Sequence, residues 1–240
     1  MRQTLPVALR ILLCAVVIAQ MGPALAAAPG QGAANTLTPA EKAAGWRLLF
    51  DGATTAGWRG FKKTEMPAGW TIEAGALTRT GAGGDIVTVD QFESFELVFE
   101  WTAPARGNSG VFFHVTEDVA SVWQSAPEYQ ILDNAGHKDG LTPETSAGAD
   151  YALHAPVKDV TKPLGQWNES RIVVTGAHVE HWLNGVKLLE YELWSPDWTA
   201  RVAKSKFNPY PGFGKAKRGH IAIQDHDSKV GFRNIKIRTL

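Results

Sequence analysis

Two segments of the sequence carry carboxyl, amide and imidazole groups at every second position. Glu128 and Gln130 lie two residues apart in one segment, and Gln224 and His226 do so in the other. Because successive side chains of a β-strand point to opposite faces of a sheet, the members of each pair share a face if both segments are strands. A carboxyl group and an imidazole on one face can donate and remove protons, and the amides can hold hydroxyl groups. The pattern predicts a polar site with acid–base chemistry.

These residues also have plain structural explanations. Glu128 could be an ordinary exposed carboxylate, Asp133 could begin a simple turn, and Asp225 with His226 could form a loop tip. Only Glu128 supplies a carboxylate on its strand face, so the paired carboxylates of a common glycosidase mechanism are missing locally. Two other histidines are expected to pack in the interior and not to bind a ligand, namely His114 and His181.

Composition and motifs exclude several classes of function. The 240 residues include 24 lysines and arginines and 24 aspartates and glutamates, and the isoelectric point is near 7.1. A balanced charge removes the electrostatic basis for binding nucleic acid. Metalloprotease, phosphate-loop, nucleophile-elbow and dinucleotide-binding spacings do not occur in a fitting context.

The first residues predict export. Arg2 and Arg10 precede an apolar run at positions 11–19, and a small-residue cleavage site ends at Ala26. This is the pattern of a secretory signal peptide over residues 1–26, and the apolar run is shorter than the ~20 residues of a membrane span. We expect a periplasmic or secreted protein with no membrane anchor after cleavage.

The remaining chain is expected to form one β domain without disulfides, because the single cysteine, Cys14, lies in the signal peptide. Residues 27–40 are small and polar and predict a flexible leader, and Thr38 predicts the cap of a short helix. The domain is placed at 41–240. Asn184-Gly185 is a strong hairpin signal. Closely spaced strands predict an all-β sandwich with a few short helices in its loops; they are expected at 95–101, 110–115, 128–132, 171–175, 179–183, 220–224 and 230–237.

Several motifs, in order along the chain, resemble the 3-keto-disaccharide hydrolase domain family. They are GWRLLFDG from Gly45, GNSGVFF from Gly107, EYQILDN from Glu128, GHIAIQDH from Gly219 and VGFRNI from Val230. The resemblance implies a concanavalin-A-like jelly-roll and an exported bacterial enzyme acting on 3-keto-glycosides. One departure is Asp227, since many members have a glycine after the Asp-His pair, where this chain has Asp227.

The implied substrate suggests a mechanism. A ketone at C3 makes the C2 proton acidic and places the C1 oxygen β to the developing enolate, so elimination and then hydration give net hydrolysis. We assign Glu128 or His226 as base or acid. Asp133 and Asp225 are expected to orient a histidine, with Asp225 among the catalytic residues and Asp133 among those that bind substrate. The remaining candidates for substrate contact are Asn108, Gln130 and Gln224, and on flanking loops Trp123, His137 and Lys206.

Two matters stay open at the level of sequence. Members of the family could use a divalent cation, for which Asp225, His226 and Glu128 could supply ligands, but no ligand spacing establishes a metal. The same sandwich also hosts sugar-binding modules without catalytic activity and calcium-bearing adhesion domains. A binding module would tolerate the loss of Glu128 and His226, whereas an enzyme would lose turnover.

Overall fold

The computed structural model describes residues 33–240, which belong to one compact unit and form two antiparallel β-sheets. The predicted signal peptide, and the leader as far as residue 32, lie outside the described residues. The strands are β1 (Arg47–Leu48), β2 (Trp58–Gly60), β3 (Trp70–Glu73), β4 (Ala76–Arg79), β5 (Ile86–Phe92), β6 (Phe95–Thr102), β7 (Asn108–Val115), β8 (Glu128–Leu132), β9 (Asn168–Thr175), β10 (His178–Leu183), β11 (Val186–Glu192), β12 (Gly219–Ile223) and β13 (Gly231–Thr239).

The two sheets pack as a jelly-roll-like sandwich, which confirms the predicted fold class. The larger sheet has the order β11-β10-β9-β6-β13-β4-β3, with β1 also paired to β13, and the smaller has the order β2-β5-β12-β7-β8. The core lies between them and includes Phe99 of β6, Tyr129 of β8 and Ile223 of β12. Alternation along these strands sends every second side chain into this core and leaves the next one on the outward face.

All seven predicted strands are present. Strands β1 to β5 were not predicted; β1 to β4 have two to four residues each, whereas β5 has seven. The Asn184-Gly185 turn joins β10 to β11, and both residues have positive φ angles, 49° and 79°. His114 and His181 are buried, as expected. His114 Nε2 bonds to the carbonyl of Glu93.

Two α-helices begin at capped residues. Helix α1 (Pro39–Ala43) has the predicted capping box at Thr38, and α2 (Pro196–Lys204) is capped by Ser195. Among residues 33–240, no helix is long and apolar enough to cross a membrane.

Residues before the predicted domain boundary at residue 41 also contact the sandwich. Asn35 is buried, its Nδ2 donates to the carbonyl of Gly75, and its Oδ1 accepts from the amide of Asn234. These bonds attach the last residues of the predicted leader to the sandwich. The small residues of the leader gave no sign that the side-chain amide of Asn35 bonds to two distant backbone groups.

Candidate active site

The outward face of the smaller sheet forms the floor of the site. The register places Val87 of β5 opposite Ala222 of β12, Ala222 opposite Phe112 of β7, and Phe112 opposite Glu128 of β8. The first three side chains belong to a small buried apolar cluster, separate from the main core. Glu128 therefore lies at the edge of an apolar row, and that position removes water from one side of its carboxyl group.

Two loops build walls over this floor. The loop after β7 carries Trp123, and the long segment after β11 carries Lys206 and Tyr210. The Trp123 and Tyr210 rings meet edge to face with centroids 4.9 Å apart, and the amide of Gly214 donates to the carbonyl of Ser125. Together they enclose a pocket of about 390 Å³. It is lined by Asp85, Ser121, Trp123, Glu128, Lys206, Gln224, Asp225, His226 and Asp227.

Glu128 is buried in this pocket without a hydrogen-bond partner among the described residues. Gly110 on the neighbouring strand makes room for it, because a Cβ atom at residue 110 would lie 2.2 Å from Glu128 Oε1. Burial raises the pKa of Glu128 to about 8; the Lys206 ammonium opposes the rise, and nearby carboxylates add to it. A carboxyl group in this condition keeps its proton at neutral pH and can donate it.

Asp85, which sequence reasoning missed, is a second carboxyl group in the pocket. Burial raises the pKa of Asp85 to about 6, although its Oδ1 accepts the amide of Asp225 at 2.9 Å. Two carboxyl groups with pKa values held apart are a common acid–base arrangement. Asp85 lies two residues before Val87, so alternation along β5 would have placed it on the outward face once that strand was recognised.

Asp225 lines the pocket, but N–H donors occupy its carboxylate oxygens. Its oxygens accept from Arg79 Nε at 2.6 Å, from the amides of Gly83 and Gly84 at 2.9 Å each, and from the amide of Asp227 at 3.3 Å. Burial alone would raise the pKa of Asp225, but these bonds outweigh it and lower the pKa. These bonds anchor the loops around His226 to Asp225, which bonds to no histidine among the described residues; its catalytic role stays a prediction.

His226 is exposed at the mouth of the pocket, immediately after the end of β12. The next residue, Asp227, has a φ of 59°, the left-handed region that favours glycine, and it accepts a bond from Arg79 Nη2. Asp tolerates this conformation better than most residues. The turn after His226 therefore forms in this chain without the glycine.

Lys206 lies between aromatic rings and close to Glu128. Its Nζ is 4.2 Å from the ring centroid of Tyr151, 5.4 Å from that of Trp123 and 5.2 Å from that of Phe207. Burial of the ammonium lowers its pKa, while the carboxylates of Glu128 and Asp139 raise it. Neither carboxylate lies within 4.0 Å, so the ammonium is free to meet a negative charge that develops on a substrate.

The three amide residues have different surroundings. Gln224 lines the pocket, and its buried Oε1 has no partner among the described residues. Gln130 is fully buried, with Nε2 bonded to the carbonyl of Thr145 and Oε1 to the amide of Ile131, so the structure corrects its assignment to substrate. Asn108 is also buried and lies outside the pocket lining.

Asp133 and His137 lie away from the pocket. Asp133 accepts the amide of Arg106 and lines a different cavity, of about 510 Å³, at the end of the sandwich. His137 caps a short 3-10 helix, accepting the amide of Asp139 at its Nδ1. Neither the substrate contact expected of Asp133 and His137 nor the histidine-orienting role expected of Asp133 is met at the pocket of Glu128, because alternation ends with the strand and does not predict how the following loop turns.

The suggested cation ligands do not form a set. The Asp225 oxygens are occupied by N–H donors, and in residues 33–240 only His178, Glu180 and Glu190 bring three ligand atoms within 4.8 Å of one another. That group lies on β10 and β11 of the larger sheet, where Lys187 is already paired with both glutamates. The donors at the pocket do not fit a preformed metal centre.

Comparison with known proteins identifies the family. Residues 45–238 match the model of the 3-keto-alpha-glucoside-1,2-lyase-like domain. The chain belongs to this family. The motif resemblance is thereby confirmed, and the family match begins two residues before β1 and ends within β13, one residue before its last.

Relatives of this family member support a glycosidase-type hydrolase. A 3-keto-disaccharide hydrolase of Bacteroides thetaiotaomicron is 36% identical over 229 residues, which cover 82% of this chain and 79% of the relative. A crystal structure from Parabacteroides distasonis, provisionally assigned as a glycosyl hydrolase, is 36% identical with a TM-score of 0.81 and covers 86% of this chain and 99% of its own. A second one from that organism, likewise provisional, is 30% identical with a TM-score of 0.65, covering 81% and 99%.

Proposed function

We propose that this protein cleaves the glycosidic bond of 3-keto-glycosides by removing the C2 proton and expelling the C1 oxygen. Membership of the family supports the substrate class. The observation that carries the proposal is the Glu128 carboxyl group, which is buried at the pocket without a hydrogen-bond partner among the described residues. The oxygens of this carboxyl group face the pocket, and no described residue occupies them, so they are available to a bound ligand.

The reaction balances as an elimination followed by a hydration. The base takes the C2 proton, and the electrons of the C–H bond form an enolate whose charge rests on the C3 oxygen. Collapse of the enolate restores the ketone, forms a C1–C2 double bond and expels the C1 oxygen, which takes a proton from the acid. Water then adds at C1 and a proton returns to C2. No oxocarbenium ion is formed, so the paired carboxylates that stabilise one are not required.

Glu128 acts as the acid in this scheme, because its raised pKa keeps the proton available at neutral pH. The base comes from Asp85 and His226, which lie together at the pocket, where the charge of His226 lowers the pKa of Asp85. Lys206 and Gln224 face the same space. The ammonium of Lys206 stabilises the enolate oxygen by charge, as positioned donors do in other acyl and enolate chemistry.

The test is turnover of a 3-keto-glycoside beside its unoxidised parent, each with and without a chelator. We expect aglycone release only from the keto compound. In D₂O, deuterium at C2 of the released sugar above the level without enzyme supports elimination, and its absence contradicts it. Binding of either compound without turnover would favour a sugar-binding module instead. Substituting Asp85→Asn and His226→Gln separately identifies the base as the residue with the larger loss of kcat.

We also propose that residues 1–26 are removed during export. The positive residues, the apolar run and the cleavage site at Ala26 support this. Expression of the full chain in a bacterial host, followed by fractionation and N-terminal sequencing, tests it. A mature protein beginning at Ala27 in the periplasm or medium is expected, and an uncleaved cytoplasmic chain would contradict the proposal.

A further inference from the structure

Five aromatic rings lie in a continuous parallel stack behind the pocket. The His154 ring stacks on Tyr191 at 4.6 Å between centroids, Tyr191 on Trp198 at 5.3 Å, Trp198 on Phe213 at 6.2 Å, and Phe213 on Phe207 at 4.0 Å. Each adjacent pair is within 8° of parallel. These rings come from a turn, β11, α2 and the segment before β12, so the stack joins elements far apart in sequence.

One end of the stack is attached to the strand that carries Glu128. His154 Nδ1 lies 2.8 Å from Asp150 Oδ2, and the backbone of Asp150 pairs with Tyr129. In the same turn, the amide of Tyr151 donates to the carbonyl of Glu128 at 3.0 Å. Backbone hydrogen bonds therefore attach the turn that holds His154 to the strand that carries Glu128.

The other end of the stack reaches Lys206. Phe207 is the next residue in the chain, and its ring lies 5.2 Å from the Lys206 Nζ. Long lysine side chains lose much rotamer freedom when held in one place, and within residues 33–240 no carboxylate lies within 4.0 Å of this ammonium. The position of Lys206 therefore depends on the rings around it and on the backbone that Phe207 fixes.

The stack also requires close packing at its centre. Gly214 has a φ of 63°, and a Cβ atom there would lie 2.8 Å from Trp198 Cζ2. Arg201 of α2 donates to the carbonyl of Leu153, and its Nε pairs with Asp197. These contacts hold α2 against the turn at 150–154 and leave little space for the rings to slide.

We propose that the stack of His154, Tyr191, Trp198, Phe213 and Phe207 positions the Lys206 ammonium beside Glu128, so that Tyr191, Trp198 and Phe213 are positioning residues for the reaction. The turn at 150–154 attaches one end of the stack to Glu128, and Phe207 attaches the other end to Lys206, so the stack fixes the distance between the two side chains at the pocket. Only the expected effect on kinetics rests on the proposed function. The placement of the ammonium among the rings can be measured without a substrate.

The substrate-free test uses lysine side chains carrying ¹³C-labelled dimethyl groups, with the Lys206 signal assigned by its loss in Lys206→Arg. Rings beside the ammonium shift this signal away from that of a lysine with no ring nearby. We expect Trp198→Leu to move the signal toward the position of a lysine with no ring nearby and Trp198→Phe to retain it. Because His154→Phe keeps the ring and loses the bond to Asp150, it separates stacking from ion pairing, and it is expected to retain the signal. An unchanged signal in Trp198→Leu would overturn the proposal.

The kinetic test compares kcat, KM and the pH profile. Displacing a reacting group by about 1 Å lowers the reaction rate up to ~100-fold. Trp198→Leu is therefore expected to lower kcat about tenfold to hundredfold with a smaller change in KM. The charge of Lys206 lowers the pKa of Glu128, whereas the charges of Asp85, Asp150 and Asp139 raise it. If Lys206 is displaced, the pKa of Glu128 should rise, and the alkaline limb of the pH profile should move to higher pH. The Lys206→Met variant should show the same shift.

The control is Phe92→Leu, which truncates a buried ring in the core outside the stack. It should lower thermal stability but leave the lysine signal and the pH limb unchanged; a matching shift in this variant would overturn the proposal. Phe213→Leu repeats both measurements in case Trp198→Leu does not fold. Failure of both to fold would mean that the stack provides stability and not position. If no 3-keto substrate is turned over by the wild type, the lysine signal still decides the inference.

Discussion

Glutamates are buried on the outward faces of both sheets, but only those on the larger sheet are paired with arginines among the described residues. On the larger sheet, Glu96 and Glu100 are 6% and 8% exposed, and on the smaller sheet Glu128 is 5% exposed. Arg233 Nε lies 2.6 Å from Glu100 Oε2, and arginines also pair with Glu96. Glu128 has no such partner among the described residues.

The difference bears on the role that we propose for Glu128. Burial and alternation are alike at Glu100 and Glu128, so neither separates the two residues. An arginine on a neighbouring strand satisfies the buried carboxylate of Glu100. Without such an arginine, burial raises the pKa of Glu128 and leaves its oxygens open to the pocket. In our proposal, the presence or absence of an arginine partner separates a structural carboxylate from a reactive one.

The largest expected effect is the loss of turnover in Glu128→Gln. Removing a general acid costs about 10²–10⁴-fold, so kcat should fall within that range while the fold is retained. The matched control is Glu100→Gln, which should keep turnover and lose stability because Arg233 loses its partner. Comparable kcat losses in both variants would remove the distinction between the two sheets.

Gly110→Ala should give the next largest effect. The added Cβ would overlap Glu128 Oε1 at 2.2 Å and force the carboxyl group to move. A displacement of this kind is expected to reduce kcat up to ~100-fold, with KM less affected. A crystal structure of the variant and its kinetics check this together. Unaltered kcat with a displaced carboxyl would contradict the role of Glu128.

The pH dependence of stability should differ between wild type and Glu128→Gln. Burial raises the pKa of Glu128 from 4.5 to about 8 in the folded state. Between these values the unfolded chain has released the proton and the folded chain retains it, so this group makes stability fall as pH rises. Urea unfolding from pH 5 to 8 should show that the free energy of unfolding of the wild type falls relative to the variant. A constant difference would contradict the raised pKa.

Arg233→Met converts Glu100 to the condition of Glu128. The carboxylate then remains buried without its main partner, and we expect about 1–3 kcal/mol of lost stability at neutral pH. Thermal unfolding at neutral pH measures this loss, and turnover serves as the control, since it should not change.

The smallest effect is expected for Asp227→Gly. Glycine relieves the left-handed conformation, but the variant also loses a bond from Arg79 to an exposed carboxylate. The two changes oppose each other, and exposed pairs contribute ~0.2–1 kcal/mol. A change below about 1 kcal/mol with turnover within about twofold is expected. A large loss of turnover would show that the Asp227 carboxylate takes part in the reaction.

The sequence by itself determined the sandwich, most of its longer strands and the outward direction of Glu128 and Gln224. Local physics is sufficient for these features, because a two-residue period and turn residues such as Asn184-Gly185 act over a few neighbouring positions. The cap of α1 was predicted for the same reason. Strands β1 to β4 were not predicted, since each has too few residues to show a period, and in β5 the adjacent apolar residues at 86 and 87 interrupt the alternation.

Only the tertiary structure decided which polar residues meet. Gln130 alternates in phase with Glu128, yet a loop 15 residues away satisfies its amide and removes it from the site. Asp85 and Lys206 join the site from elements far along the chain, and Asp133 leaves it through a turn. Strand register and loop closure depend on contacts between distant segments, which no local period encodes. A side chain's pKa depends on those same contacts, so the chemistry of Glu128 became definable only once the sheets and loops were in place.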